Sequence, residues 1–137
     1  MPVCACYIRS MKKLIGLIII VFLSMSVEAK HLYYEKDYQG VWCGQHNGQT
    51  EVKLFDYTRV DCVTDTETVE FDFAKKWAEC TGQALYYSLI TGKSPACVLI
   101  MENGEKDNIY LQRLQKLSDK YNFKIYTMTP SDMEQSQ

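Results

Sequence analysis

The residues best suited to chemistry in this sequence are the acids Glu51, Asp61, Glu70 and Asp72, followed by Lys76, Glu79 and Gln83. Glu70 and Asp72 alternate with Val69, Phe71 and Phe73, so an extended chain sets both acids on one face. Lys76, Glu79 and Gln83 share one face of a helix. Carboxylates gathered at one point repel each other unless a cation sits among them, and all-oxygen donors favour Mg2+, Mn2+ or Ca2+ over Zn2+. An ion held by two carboxylates polarises a phosphoryl oxygen and acidifies a bound water, which is what phosphodiester hydrolysis requires. The plainer alternative is two solvated faces, one on a strand and one on a helix, with an i,i+4 pair between Lys75 and Glu79.

Other chemistry has little material. His31 and His46 are the only histidines, too few for a Cys/His zinc site or a histidine-based triad. No CxxC pair with zinc or thioredoxin-like context and no glycine-rich phosphate loop occurs. Tyr33-Tyr34 and Tyr86-Tyr87 suit base stacking as well as ordinary packing.

The elements that must position the acids follow from hydrophobic periodicity. Leu32 to Gln45, with Tyr34, Tyr38, Val41 and Trp42 at helical spacing, predicts a first helix ending at Gly44 and Asn47-Gly48. Glu51 to Phe55 and Arg59 to Thr64 alternate about Asp56-Tyr57-Thr58 as a hairpin, and Thr68 to Phe73 alternates again. Ala74 to Ile90 is a helix with Trp77, Ala78, Ala84, Leu85, Ser88 and Leu89 as its apolar stripe. Val98 to Met101 predicts a buried strand. Asp107 caps a helix running to Tyr121, Phe123 to Met128 is a last strand, and Ser131 to Gln137 is a frayed polar tail.

The chain has 137 residues, about one domain, with 47% hydrophobic and 23% charged residues, which excludes collagen-like and disordered classes. A net charge of −2 excludes a cationic protein that coats nucleic acid or anionic membrane. Residues 1–29 read as a signal region, with the signal peptide itself over 11–29: Lys12 and Lys13, an apolar run from Leu14 to Met25, then Val27 and Ala29 at the cleavage positions. Membrane contact is expected only through that signal peptide, and the domain over 30–137 is expected to be exported, periplasmic or secreted. Removing 1–29 takes away three basic residues and one acid, which moves the net charge to −4 and leaves Cys43, Cys62, Cys80 and Cys97. Four cysteines in an oxidising compartment allow three disulfide pairings, and buried free thiols are the alternative.

Taken in order, the acids resemble a known layout. Gly48-Gln-Thr-Glu51, Thr58-Arg-Val-Asp61-Cys, Val69-Glu70-Phe-Asp72-Phe-Ala-Lys-Lys-Trp-Ala-Glu79 and Gly82-Gln83-Ala-Leu-Tyr-Tyr87 are similar to the motifs of the PD-(D/E)XK nuclease superfamily. The resemblance implies an α/β fold of restriction-endonuclease-like type: an αβββαβ core with a mixed central sheet flanked by helices, plus a C-terminal helix and strand. It also implies Asp61 and Glu70 as ligands of Mg2+ or Mn2+, with the Phe71 carbonyl completing the site, and Glu51 as an accessory acid from the first helix. Gln83 would orient a ligand or phosphate. Asp72 stands where the family usually has a lysine, and Lys76, or secondarily Lys75, is the candidate to replace that charge. The implied function is an exported metal-dependent nuclease with DNA or RNA as substrate. The alternatives are an inactive exported binding or structural module on the same fold, or an inhibitor-like protein partner of a nuclease.

Overall fold

The computed structural model describes residues 30–135; the expected signal region lies outside them. The elements follow in the order α1 (Glu35–Gln45), β1 (Gln49–Lys53), β2 (Arg59–Val63), β3 (Glu67–Phe73), a 3₁₀ turn (Ala74–Lys76), α2 (Trp77–Thr91), β4 (Ser94–Ile100), a second 3₁₀ turn (Gly104–Asp107), α3 (Asn108–Tyr121), β5 (Lys124–Met128) and α4 (Pro130–Glu134). The strands form one five-stranded sheet in chain order. β1, β2 and β3 run antiparallel, whereas β3, β4 and β5 run parallel, so α2 and α3 are the crossovers that parallel neighbours require. This is the expected α/β class with a mixed sheet flanked by helices. No helix among the described residues is long and apolar enough to cross a membrane.

Strand alternation divides the core between the two faces. Val69 and Phe71 of β3, with Ala96, Val98 and Ile100 of β4, pack against Tyr38, Trp42 and Cys43 of α1 and Met133 of α4. Cys97 and Leu99 point the other way, against Cys80 and Ala84 of α2 and Leu114 of α3. On β3 the residues facing α2 are Thr68, Glu70 and Asp72, all buried. A polar strand face inside an otherwise apolar layer is the feature that sets up the site.

Several elements differ from their sequence expectation: β1 lies two residues earlier, at Gln49–Lys53, and Asp107 precedes α3 without a side-chain cap bond. β4 begins at Ser94, ahead of the expected Val98, and so passes through Pro95. The Ser94 N–H bonds Thr66 on the β3 side, so the missing Pro95 N–H would face β5, whose pairing starts only at Ala96; the proline therefore removes no ladder bond. The buried side of α2 carries Cys80, Thr81, Ala84 and Tyr87, which leaves the expected stripe residues Ala78 and Leu89 exposed. The segment from Ser131, expected to fray, instead contributes α4 through Glu134. Asp132 accepts bonds from the Thr129 N–H (2.7 Å) and hydroxyl (2.9 Å), and Pro130 occupies the first turn, a capping pattern legible in Thr129-Pro130-Ser131-Asp132.

Of the four cysteines, Cys43 and Cys62 form a disulfide joining α1 to β2, while Cys80 and Cys97 are buried free thiols. Gly48 lies against the bridge: a Cβ there would meet Cys62 Sγ at 2.5 Å and Cys43 Sγ at 2.6 Å. Because both ends of the bridge are fixed, Gly48→Ala is expected to destabilise the domain by about 1–3 kcal/mol, read as a lower denaturation midpoint in urea.

Candidate functional site

The site begins where two strands part. β2 and β3 pair at Cys62–Val69 and Val63–Thr68 and no further, although β2 starts at Arg59 and β3 continues to Phe73. Beyond that point two side chains take over the backbone bonds of the ladder. The Asp61 N–H donates to Glu70 Oε1 (3.3 Å), and the Phe71 N–H donates to Asp61 Oδ2 (2.8 Å). Each acid's side chain thus accepts a backbone bond from the other's strand, which brings Asp61 and Glu70 together at this point.

Burial dominates the electrostatics of this pair. Glu70 is 2% exposed; behind it the Cys80 thiol donates to the Glu70 carbonyl (3.3 Å), and Cys97 is its neighbour on β4. Among the described residues no lysine or arginine forms an ion pair with Asp61 or Glu70. Desolvation pushes both acids well above the usual carboxylate range; Asp61 raises Glu70 further, and Glu35 and Glu51 raise Asp61 against the opposing bond from Phe71.

Asp72 is 4% exposed, two residues along the same face. Burial, then the charge of Glu35, pushes it up to about 7, opposed by Lys76. Lys76 Nζ lies 3.8 Å from Asp72 Oδ1 and 3.7 Å from Glu79 Oε2, so Lys76 takes the helix pair expected for Lys75. The solvated-face alternative does not describe Glu70 and Asp72, which face α2.

Glu51 lies inside β1 and not on the first helix. Its φ of 58° is left-handed, unusual for a non-glycine strand residue and costing about 1–3 kcal/mol. The ladder registers Thr50–Cys62 and Val52–Val60 but passes over Glu51 and Asp61 between them. The Glu51 carboxylate is exposed and pairs with Arg59 Nη1 at 3.4 Å. The acid that the first helix supplies is Glu35, in the first turn of α1. Burial raises its pKa, Lys76 opposes, and Glu51, His31 and Glu79 also act on it. Its sequence context does not single out Glu35, because an acid in a first helical turn is common for dipole reasons alone. Gln83 is exposed on α2, one turn before the buried Tyr87, whose hydroxyl pKa is raised by burial and then by the charge of Glu70, with Gln83 acting the other way.

The fit of a metal ion turns on these donors. Among the described residues, no group of three or more His, Cys, Asp or Glu side chains is gathered so as to hold an ion. Half-buried Asp61 and buried Glu70 are a two-carboxylate set without a lysine or arginine ion pair among the described residues, and Mg2+ is commonly bound through one or two carboxylates while keeping waters and substrate phosphate oxygens. The donor set fits Mg2+ or Mn2+ on those terms. The histidines serve packing: His31 stacks on Phe73 and bonds Glu102 at 2.8 Å, and His46 stacks on Trp42. A cleft of about 580 Å³ lies between α1, β5 and α4, lined by Trp42, His46, Tyr126 and Asp132 among others, and includes none of Glu35, Glu51, Asp61, Glu70 and Asp72. Comparison of the chain with family models, curated proteins and solved structures gives no match.

Proposed function

We propose that this chain is an exported divalent-metal-dependent phosphodiesterase that cleaves DNA or RNA, built on a PD-(D/E)XK-like core. The observation that carries the reading is the pair of buried Glu70 and half-buried Asp61, without a lysine or arginine ion pair among the described residues, at the parting of β2 and β3. Two further features support it: the αβββαβ order, and a lysine delivered to the same mouth from the turn before α2. The Cys43–Cys62 disulfide is compatible with export.

Asp61 and Glu70 would hold Mg2+ or Mn2+, which when bound supplies Lewis acidity toward a phosphoryl oxygen and acidifies water. Asp72 occupies the position where the family usually has lysine; titrating near about 7, it is suited to accept the proton of attacking water at neutral pH. Lys76 brings positive charge to the same mouth, where it neutralises charge building on the phosphoryl group. Glu35 adds a carboxylate from the α1 side.

The test is hydrolysis of single-stranded DNA, plasmid DNA and RNA by the purified domain with Mg2+ or Mn2+. Cleavage is expected to vanish in EDTA and in Asp61→Asn, and Lys76→Ala is expected to lower the rate by roughly 10²–10³-fold. Metal-independent cleavage, or cleavage indifferent to Asp61, overturns the reading; an inert protein that binds no Mn2+ points to the non-catalytic module instead.

A further inference from the structure

The tip of the β1–β2 hairpin presents two aromatic rings to solvent, Phe55 at 82% and Tyr57 at 81% exposure. Large apolar rings so far from any core gain nothing from burial, and Tyr57 holds a left-handed φ of 70°, a conformation a bulky residue adopts at a cost.

The tip is nonetheless rigid. Leu54 and Thr58 close it with a backbone bond of 2.9 Å, and Asp56 accepts from the Thr58 N–H (3.1 Å) and hydroxyl (2.6 Å). The other Asp56 oxygen accepts from the Tyr86 hydroxyl of α2 at 2.6 Å, latching the hairpin over the helix. The tip runs directly into β2, where Asp61 follows Arg59 by two residues and its N–H bonds Glu70, so the tip and the carboxyl pair lie on one short stretch of chain.

Positive charge flanks the rings. Lys53 and Arg59 are direct partners across the hairpin, both exposed, on either side of the tip. Lys53 Nζ sits 4.8 Å from the Tyr57 ring centroid. Arg59 also meets Glu51 at 3.4 Å, so Lys53, which forms no ion pair among the described residues, is the charge beside the open rings that best complements a backbone of phosphates carrying unstacked bases. A duplex hides its base faces and cannot use the rings.

We propose that Phe55 and Tyr57, flanked by Lys53 and Arg59, form a stacking platform for single-stranded nucleic acid that leads a strand toward the carboxyl pair. This rests on the phosphodiesterase reading and assigns its substrate class as single strands.

Fluorescence anisotropy in EDTA tests the platform without catalysis, with labelled oligothymidylate, oligouridylate and a DNA duplex of equal length as probes. The oligothymidylate is expected to bind at least ~10-fold more tightly than the duplex, since base stacking supplies the difference. Phe55→Ala and Tyr57→Gly are each expected to weaken single-strand binding by roughly 5–100-fold. Tyr57→Gly removes the ring while relaxing the backbone, so its loss does not come from unfolding. Lys53→Ala is expected to weaken binding and flatten its salt dependence. Oligouridylate bound as tightly as oligothymidylate extends the class to RNA; oligothymidylate preference restricts it to DNA, and either agrees with the platform. Equal binding of duplex, single-strand binding indifferent to both rings, or rings required only for self-association in sedimentation overturns it. Ring-dependent single-strand binding without metal-dependent cleavage overturns the phosphodiesterase reading and leaves the platform standing, whereas cleavage of duplex with both rings removed does the reverse.

Discussion

Glu70→Gln is expected to make the domain more stable at pH 8 and to abolish its binding of Mn2+. A carboxylate almost wholly removed from water, with Asp61 as its neighbour and no cation beside it, is costly to ionise. Glutamine keeps the shape and the carbonyl that accepts the Asp61 N–H while removing the charge. The expected gain is about 1–3 kcal/mol, the range in which a neutral replacement for a buried charge usually falls. The sign with pH follows from the raised values. In the unfolded chain these acids ionise near their ordinary range of about 4. In the folded domain burial moves the Asp61–Glu70 pair and Asp72 upward, Asp72 to about 7.

Between those limits the folded state binds more protons than the unfolded one, so stability falls as pH rises from about 5 through neutrality. The groups facing this cluster are Glu35 from α1, Glu51 from β1, and Lys76 and Glu79 from the start of α2; only Lys76 opposes the trend. Thermal melts in EDTA at pH 5, 7 and 8.5 check this, and Glu70→Gln is expected to flatten the slope. Mn2+ reverses the loss in the parent protein by about 2.7 kcal/mol at a hundredfold excess over Kd and does nothing for the variant. A parent protein that gains stability with rising pH would mean that Asp61 and Glu70 are ionised and already compensated, and would sink the metal-site assignment.

Removing the Cys43–Cys62 bridge is expected to cost about 3 kcal/mol, because the bridge closes a loop of 19 residues that comprises the end of α1, all of β1 and the hairpin. For a domain of this size that is a large share of a typical 5–15 kcal/mol. The site suffers with the fold, since Cys62 is adjacent to Asp61 and holds β2 in the register that places Asp61 beside Glu70. Cys43→Ala/Cys62→Ala should therefore lower the melting temperature by ten degrees or more, at roughly 4 °C per kcal/mol. Mn2+ affinity should fall in parallel. Cys80 and Cys97, buried under Glu70, should alkylate only after denaturation, as peptide mapping would read. A melting temperature unmoved by the double substitution would remove the bridge from the stability argument.

Much of this arrangement is legible in the chain. Alternation of Val69, Phe71 and Phe73 with Glu70 and Asp72 assigns the two faces of β3, and the changes of period delimit the order of strands and helices. Periodicity records neighbours along the chain, so it identifies which residues share a face. It does not say what lies opposite that face. A strand with two acids on one side reads alike whether water or α2 covers them, and only the packing of α2 makes Glu70 and Asp72 buried acids. The same limit applies to Glu35, whose sequence context is an ordinary helix start and whose place beside Lys76 and Glu51 depends on how α1 crosses the sheet.

Four cysteines allowed several pairings, and the sheet resolved them by putting Cys43 and Cys62 on the α1 face and Cys80 and Cys97 on the other. By itself the sequence determined the classes of element, the facing of β3 and the acids offered on it, because these depend on backbone period and side-chain type. Tertiary structure alone decided which acids lost their water and met one another. Desolvation and charge repulsion depend on distances between elements remote in sequence, and no local pattern encodes those distances.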